Sequence, residues 1–394
     1  MNYLKNLHSD LRTILRGNIG VLFTTWILLN FGHSLVMRFN GIYFSALGAS
    51  NVILGLMGAL TFGMMALLQI PGGYLADAFG RRKVIVIFTS IMAFSMLIFA
   101  LAPSWQWILV GIIISNVALL YQPALFSMMM DSLPSHRRAE GFAITNISMI
   151  PGIFGPIIGG ALIYTYGTVP GMRIGYIVLF IISVIAALLR IKLKETIKPN
   201  KNREKFIESF RILKKLGRGA KGVLLINMIT SAAGGMVGYF VVKYAYGYTS
   251  SLIYGIAMAM ITVIIVLVGI PIGRRADSRG KERFYMLGEL MAAAALIVFI
   301  VPSTFALFTY AILIGLSQAF SQPASNGLIA DYVNIENRGR YTGVFLFLSY
   351  ISAMVLSAIG GYIYQITPWL LFALSGMLYL LGGILAFLLL VRNR

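Results

Sequence analysis

Long apolar runs recur along the chain, each about as long as the roughly 20 residues that a helix needs to cross a bilayer. Apolar residues make up 59% of the 394 residues and charged residues only 11%, whereas a soluble domain has about 25% charged residues. Much of this apolar surface must therefore face lipid. Twelve membrane helices are predicted, at 19–46, 51–76, 84–102, 105–130, 140–166, 173–193, 219–246, 251–273, 284–302, 305–330, 341–365 and 368–391.

The runs are apolar on every side, as in VIVIFTSIMAFSMLIFALA at 84–102. A membrane-spanning strand would instead alternate apolar and polar residues over about ten positions. The pattern therefore predicts an all-α membrane protein. The first run is too long for the core of a signal peptide, and the chain has no cysteine for a disulfide or a thiolate metal site.

The basic residues are distributed unevenly. The net charge is +20, yet all but three of the 32 Lys and Arg residues fall in the termini and in alternate connections, the exceptions being Arg38, Arg173 and Lys243. An excess of Lys and Arg in short loops marks the cytoplasmic side of a membrane protein. The N- and C-termini are therefore predicted to be cytoplasmic, and the positive charge is attributed to topology rather than to a nucleic-acid partner.

The chain repeats itself with an offset of 200 residues. PGGYLADAFGRRK at 71–83 matches PIGRRADSRGKER at 271–283, and QPALFSMMMD at 122–131 matches QPASNGLIAD at 322–331. One offset through two separate motifs indicates a duplication. The predicted fold is two pseudo-symmetric six-helix bundles, at 1–193 and 219–394.

A basic linker at 194–218 is predicted to join the two bundles. Its Phe206, Phe210, Leu213 and Leu216 recur at helical intervals among bases, which favours a helix lying on the membrane surface. A solvated connector is the alternative.

Six plus six helices, a basic central linker and the G-x-L-A-D-x-x-G-R-R-K motif at 73–83 resemble the major facilitator superfamily of secondary transporters. The resemblance covers essentially the whole chain. It implies a substrate site at the bilayer midplane between two halves that rock against each other. In part, GPIIGG at 155–160 also resembles the helix-5 motif of the proton-driven drug exporters of that superfamily.

The resemblance implies a latch that joins the cytoplasmic ends of the two halves. Asp77 is expected to face the start of helix 11 at 337–343, and Asp277 the start of helix 5 near 139–141. A helix N-terminus stabilises a nearby carboxylate by about 0.3–1 kcal/mol. Loop charges that only fix topology are the alternative. The expected latch residues are Gly73, Asp77, Gly80, Arg81, Arg82, Asp131, Arg138, Asp277, Gly280, Asp331, Arg338 and Arg340.

Polar side chains at bilayer depth are costly, which makes them candidates for function. In the superfamily, helices 1, 4, 7 and 10 line the central cavity. The expected substrate-binding residues are Asn30, His33, Arg38, Asn116, Tyr121, Gln122, Tyr239, Lys243, Gln318, Gln322 and Asn326. Arg38 and Lys243 together would suit a carboxylate or a phosphate, although Arg38 could equally reach outward to the headgroups.

Two residues are candidates for proton coupling, namely His33 and Glu289. His33 could instead be a plain hydrogen-bonded histidine, and Glu289 could pair with a base near the membrane surface. Many drug exporters have an arginine in helix 4, which this chain lacks, and several have an acid in helix 1, where this chain has Arg38.

Four residues of helix 5 are expected to pack helices closely, namely Gly155, Pro156, Gly159 and Gly160.

The predicted function is secondary active transport of a small organic solute by alternating access, exporter-like, with proton coupling left open. An importer or exchanger of an organic anion is the first alternative, and a non-transporting membrane receptor is the second. No set of nucleophiles or paired carboxylates indicates an enzyme. The expected partners are a small molecule, protons and membrane lipids, with no cofactor or metal, and the chain is expected to be a monomer.

Asp77→Asn is expected to leave expression unchanged and to lower transport strongly, because it removes the charge that holds the two halves in balance. The measurement is uptake or efflux in membrane vesicles. Unchanged rates would contradict the latch.

Overall fold

A computed structural model describes residues 17–133, 147–197, 210 and 212–392, without the side chains of 69–74, 76, 77, 214, 215, 335 and 336. Within these ranges all regular structure is helical. The helices are α1 Gly17–Ala46, α2 Asn51–Phe79, α3 Arg81–Leu101, α4 Trp105–Ser132, α5 Ile150–Tyr166, α6 Thr168–Arg190, α7 Arg218–Val237 continued by Phe240–Ala245, α8 Ser251–Arg279, α9 Lys281–Phe299, α10 Thr304–Tyr332, α11 Ile335–Ile366 and α12 Pro368–Val391.

Ten of the described helices are long and apolar enough to cross a membrane, and α5 is a shorter apolar helix. The remaining helix, α9, begins with Lys281, Glu282 and Arg283 and also contains Glu289. Several helices extend beyond their predicted ends, since α2 and α8 continue to Phe79 and Arg279. Hydropathy marks only the part of a helix that is apolar, so it cannot detect turns that continue into water.

The 200-residue repeat is visible in the local structure. Helices α2 and α8 are each 29 residues long. The hydroxyls of Ser50 and Ser250 cap them by accepting hydrogen bonds from the backbone amides of Ile53 and Ile253, the third residue of each helix. Both helices end at a glycine, Gly80 with φ 91° and Gly280 with φ 102°. Residues with a side chain rarely adopt such a positive φ, which explains why a glycine occupies both turns.

The structure has two chemically distinct ends. The basic end contains the turns at Gly80 and Gly280 with their neighbouring Lys and Arg residues, and the far end contains the short connections such as 47–50 and 247–250. We call α1–α6 the N-half and α7–α12 the C-half. The halves meet where α2 packs against α11 and where α5 packs against α8.

Glycine-mediated backbone contacts between the halves lie toward the far end. A Cβ on Gly55 of α2 would lie 2.7 Å from the Ser357 carbonyl oxygen and 2.8 Å from the Gly361 Cα of α11. In the second pair, Gly160 approaches the backbone of Ser251, and Gly255 approaches the carbonyl of Pro156. Gly155 and Gly159 of the same helix-5 motif pack against α1. The motif therefore joins α5 to both neighbours.

The described residues include only the two ends of the linker, at 194–197 and at 210 and 212–218. Ile212–Lys215 forms a short helix in which Ile212 is buried. The Phe210 ring meets the Phe347 ring of α11 edge-on, with centroids 5.5 Å apart. This part of the linker therefore packs against protein rather than only against the membrane surface.

Gly255→Ala is expected to destabilise the protein by about 1–3 kcal/mol, as overpacking typically does, because its Cβ would overlap the Pro156 carbonyl. The measurement is thermal unfolding in detergent. Gly269→Ala is the matched control on α8, because no heavy atom lies within 4 Å of its added Cβ. Equal melting temperatures for the two variants would contradict the close contact.

Candidate functional site

A cavity with two adjoining lobes lies between the halves. The N-lobe has a volume of about 550 Å³ and is lined by α2, α4 and α11. The C-lobe has a volume of about 540 Å³ and is lined mainly by α7, α9, α10 and α11. Leu346 and Tyr350 of α11 contribute to both lobes.

The N-lobe is mostly apolar. Two of the predicted binding residues, Asn116 and Gln122, supply its amide groups. The Asn116 amide nitrogen donates to the Ile112 carbonyl over 2.8 Å, which fixes the side chain within its own helix. The apolar lining residues are Met65, Leu68, Leu119, Pro123, Phe126 and Leu346. This lobe therefore suits an apolar group.

The C-lobe is rich in hydroxyl and amide groups. Three further predicted residues line it, namely Gln318, Gln322 and Asn326. The side-chain Oδ1 of Asn227 accepts hydrogen bonds from the hydroxyls of Ser231 over 3.3 Å and Ser349 over 2.5 Å. The other hydroxyl residues of the lining are Thr230, Ser317, Ser321, Ser325, Tyr285, Tyr350 and Tyr379.

Glu289 brings a carboxyl group to the wall of the C-lobe. Its side chain is only 5% exposed, and none of the ion pairs among the described residues includes it. Tyr285, one turn earlier on α9, has a buried hydroxyl without a hydrogen-bond partner in the described part of the chain. A buried charge is costly unless it is paired. Glu289 can therefore take up a proton or bind a cation.

Four predicted binding residues belong to helix packing and do not line either lobe. The His33 Nδ1 lies 2.8 Å from the Leu29 carbonyl oxygen. Asn30 donates to the Ser148 carbonyl over 3.1 Å. Tyr121 lies under the guanidinium of Arg190, and Tyr239 packs edge-on against Phe44 at 5.5 Å.

Arg38 and Lys243 do not form a cationic site in the cavity. The Lys243 Nζ donates to the Ser45 hydroxyl over 3.0 Å and to the Asn51 side-chain oxygen over 2.5 Å. Both acceptors belong to the N-half, so Lys243 joins the halves at the far end. The Arg38 side chain is exposed, and Tyr254 donates to its backbone carbonyl.

The ion pairs of the described residues at the basic end lie within single halves. Asp131 pairs with Arg81 in the N-half. In the C-half, Asp331 lies 2.8 Å from the Lys281 Nζ, and Asp277 lies 3.6 Å from it. Arg338, which is expected in the latch together with Asp331, takes part in none of the ion pairs of the described residues. Arg338 donates instead to the carbonyls of Ala330 and Val333.

Other expected latch contacts fall outside the described residues. Arg138 and the start of helix 5 near 139–141 lie in an undescribed range, and the surroundings of Gly73 and the side chain of Asp77 are not described. Arg82 donates to the Ile191 carbonyl at the end of α6, over 3.2 and 2.8 Å. Arg340 is exposed near the start of α11.

Arg190 is not among the predicted site residues, because it ends an apolar run beside the basic linker. Its side chain is 0% exposed. The guanidinium donates to the hydroxyls of Thr89 over 2.6 Å and Thr25 over 3.3 Å, and lies 5.1 Å from the Tyr121 ring centre. A threonine at the matching depth of α1 and α3 was the available signal.

Comparisons with known proteins agree with this architecture. The profile of the Major Facilitator Superfamily matches residues 14–268 and 223–394. An uncharacterised MFS-type transporter of Methanocaldococcus jannaschii is 23% identical over 346 residues, 84% of this chain and 87% of the relative. A multi-drug resistance efflux pump PmrA homologue of Lactococcus lactis is 26% identical over 363 residues, 87% of this chain and 88% of the relative.

Solved structures share the fold at low sequence identity. A peptide transporter, POT, has a TM-score of 0.79 at 16% identity and covers 95% of this chain and 94% of its own. A bacterial homologue of the human lysosomal transporter Spinster, in an inward-facing and unoccupied conformation, has a TM-score of 0.74 at 15% identity, with 96% and 98% covered.

Lys243→Met is expected to loosen the far end, because it removes hydrogen bonds to Ser45 and Asn51 across the two halves. A hydrogen bond of a charged group contributes about 1.5–3 kcal/mol. Losing this energy should raise the fraction of molecules with an open far end about tenfold or more, and a cysteine in the cavity should be labelled faster by the same factor. The measurement is labelling of Phe62→Cys by a membrane-impermeant maleimide applied to the far-end side.

Arg173→Met is the control, because Arg173 donates to the Ala102 carbonyl within the N-half. If Lys243→Met labels no faster than Arg173→Met, Lys243 does not hold the far end closed.

Proposed function

The chain belongs to the Major Facilitator Superfamily, and we propose that it exports small organic compounds by alternating access. It is a multi-pass integral membrane protein of the plasma membrane, and the members of this family are transporters rather than enzymes. The resemblance inferred from the 73–83 motif is thereby confirmed.

We further propose twelve membrane-spanning helices, with α5 and α9 added to the ten that satisfy length and composition. They would form two six-helix bundles at 1–193 and 219–394, joined by the linker at 194–218. The repeated ends of α2 and α8 support the two bundles, and the distribution of Lys and Arg supports cytoplasmic termini. The cavity lies within one chain, so a monomer would suffice for transport.

The observation that carries this proposal is the asymmetric closure of the two halves. At the far end, Gly55 and Gly361 bring the backbones of α2 and α11 into contact. Further toward the basic end, the N-lobe separates Met65 and Leu68 of α2 from Thr342 of α11. We assign this arrangement to the inward-facing state, with the cytoplasmic latch open.

In the outward-facing state the opposite change is required. The latch residues around Asp77 and Asp277 would close across the halves, and the contacts of Lys243 with the N-half would break. The ion pairs within single halves support this assignment, because Asp131 and Asp331 have local partners while the latch is open.

Export is favoured over import by the Lactococcus lactis relative, which is named as a multi-drug efflux pump and aligns over most of both chains. The two-lobed cavity is also suited to amphipathic compounds, since an apolar lobe adjoins a polar one. The solved peptide transporter shares only the fold at its 16% identity, so it gives little support for import.

For proton coupling, Glu289 is the stronger candidate of the two predicted residues. Its carboxyl group lines the C-lobe, where a proton and a bound compound can compete. His33, by contrast, contacts a carbonyl of its own helix and lies outside the lining. We therefore propose that Glu289 exchanges a proton for the exported compound.

The organic-anion alternative has less support. It depended on Arg38 and Lys243, and Lys243 is bonded to the N-half at the far end. The receptor alternative has no specific observation in its favour, because relatives that align over most of their length are transporters.

Glu289→Gln is expected to abolish transport driven by a pH gradient, because the amide cannot release a proton. The measurement is ethidium transport in proteoliposomes with an imposed pH gradient, together with proton release on adding ethidium to the purified protein. Glu282→Gln is the matched control on α9, because Glu282 accepts a hydrogen bond from Tyr332 and does not line the cavity.

Two outcomes would count against the proposal. Gradient-driven transport that persists in Glu289→Gln would remove Glu289 from coupling. Failure of the unaltered protein to move ethidium and other amphipathic probes in either direction would contradict the exporter proposal itself.

A further inference from the structure

A basic furrow lies on the surface of the N-half between α3 and α6. At the basic end it holds a volume of about 310 Å³, lined by Arg82, Lys83, Val86, Ile87, Ile191 and Glu195. The furrow thus combines two cationic side chains with three apolar ones. This combination is unlike the central cavity, and no residue of the furrow lines either lobe.

The furrow continues along the same two helices as an apolar groove of about 330 Å³. Ile191 lines both parts, which makes them continuous. The groove extends along α3 to Leu97, about 21 Å from Lys83 at 1.5 Å per residue. One leaflet contributes about half of the roughly 30 Å hydrocarbon core, so the furrow can accommodate an acyl chain through a whole leaflet.

None of the ion pairs among the described residues joins the cations of the furrow to its acid. The Glu195 carboxylate accepts hydrogen bonds from the backbone amides of Arg81 and Arg82, each over 3.1 Å, so it caps the N-terminus of α3. The Arg82 guanidinium is oriented by the Ile191 carbonyl and is still exposed. None of the ion pairs in the described ranges includes Lys83.

We propose that this furrow binds an anionic glycerophospholipid, with its phosphate at Arg82 and Lys83 and one acyl chain along α3 and α6. Basic residues at the membrane surface attract anionic lipids. A free phosphate would occupy only the basic part of the furrow, whereas an acyl chain would also fill the apolar groove. The site is independent of the transported compound. A bound lipid would contact both the turn at Gly80 and the end of α6, and would thereby stabilise the N-half.

The internal repeat supplies a comparison within the same molecule. The C-half position that matches Arg82 is Glu282, which is buried and accepts a hydrogen bond from Tyr332. The position that matches Ile87 is Leu287, which is also exposed. The duplication therefore places an acid in the C-half where the N-half has one of its two cations, and the anionic lipid is expected only in the N-half.

The experiment measures lipid selectivity at single sites, which is straightforward because the chain has no cysteine. Ile87→Cys and, separately, Leu287→Cys are labelled with bimane and reconstituted into phosphatidylcholine vesicles. Each receives the same mole fraction of either brominated phosphatidylglycerol or brominated phosphatidylcholine, and quenching is compared. We expect phosphatidylglycerol to be enriched about fivefold at Ile87 for each cation that reaches the phosphate, with a smaller preference at Leu287.

Two variants test the cations. Lys83→Gln should reduce the preference at Ile87, and Arg82→Gln combined with Lys83→Gln should abolish it, while thermal unfolding confirms that both variants fold. Lys83→Gln alone decides the matter if the double variant is unstable. Equal quenching by the two lipids at Ile87, the same preference at Leu287, or a preference unchanged by Lys83→Gln would each overturn the proposal.

Discussion

The rest of the structure depends on the close backbone contact of α2 with α11 and of α5 with α8. In lipid, helices gain little from burying apolar side chains, so association relies on small residues that let backbones approach. Gly55 with Gly361 and Gly160 with Gly255 provide that approach toward the far end. Larger residues follow toward the basic end, where Met65 and Leu68 face Thr342 across the N-lobe. The glycines therefore permit the close contact by which the far end is closed in this structure.

Arg190 in the N-half and Glu289 in the C-half are both buried, and neither takes part in an ion pair among the described residues. The two are treated differently. Arg190 lies among hydroxyls and an aromatic ring, away from the cavity lining, which suits a permanently charged structural group. Glu289 lines the cavity beside Tyr285, whose hydroxyl has no hydrogen-bond partner among the described residues. We therefore propose Glu289, and not Arg190, as the group that changes its protonation when a ligand enters.

Much of the fold could be predicted from the sequence, because apolar runs and a fixed 200-residue offset are local signals. The site was less accessible. Asn116, Gln122, Gln318 and Glu289 line the cavity, but Lys243 does not, because polarity at membrane depth does not reveal which neighbour satisfies a side chain. Lys243 has partners in α1 and α2, almost 200 residues away in the chain. Such pairings depend on packing between halves, which a single sequence does not specify.

The duplication also shows which parts of the two halves were free to diverge. The pair of Arg81 with Asp131 recurs as Lys281 with Asp331 at the same spacing, so both halves have this ion pair at the basic end. The cavity walls differ between the halves, since the N-lobe is largely apolar whereas the C-lobe is polar and contains Glu289. A compound bound across both lobes would place its apolar part against α2 and α4 and its polar part against α9 and α10. The proposed rocking would move these two walls apart, so the chemical asymmetry of such a compound would match the division of the protein into two halves.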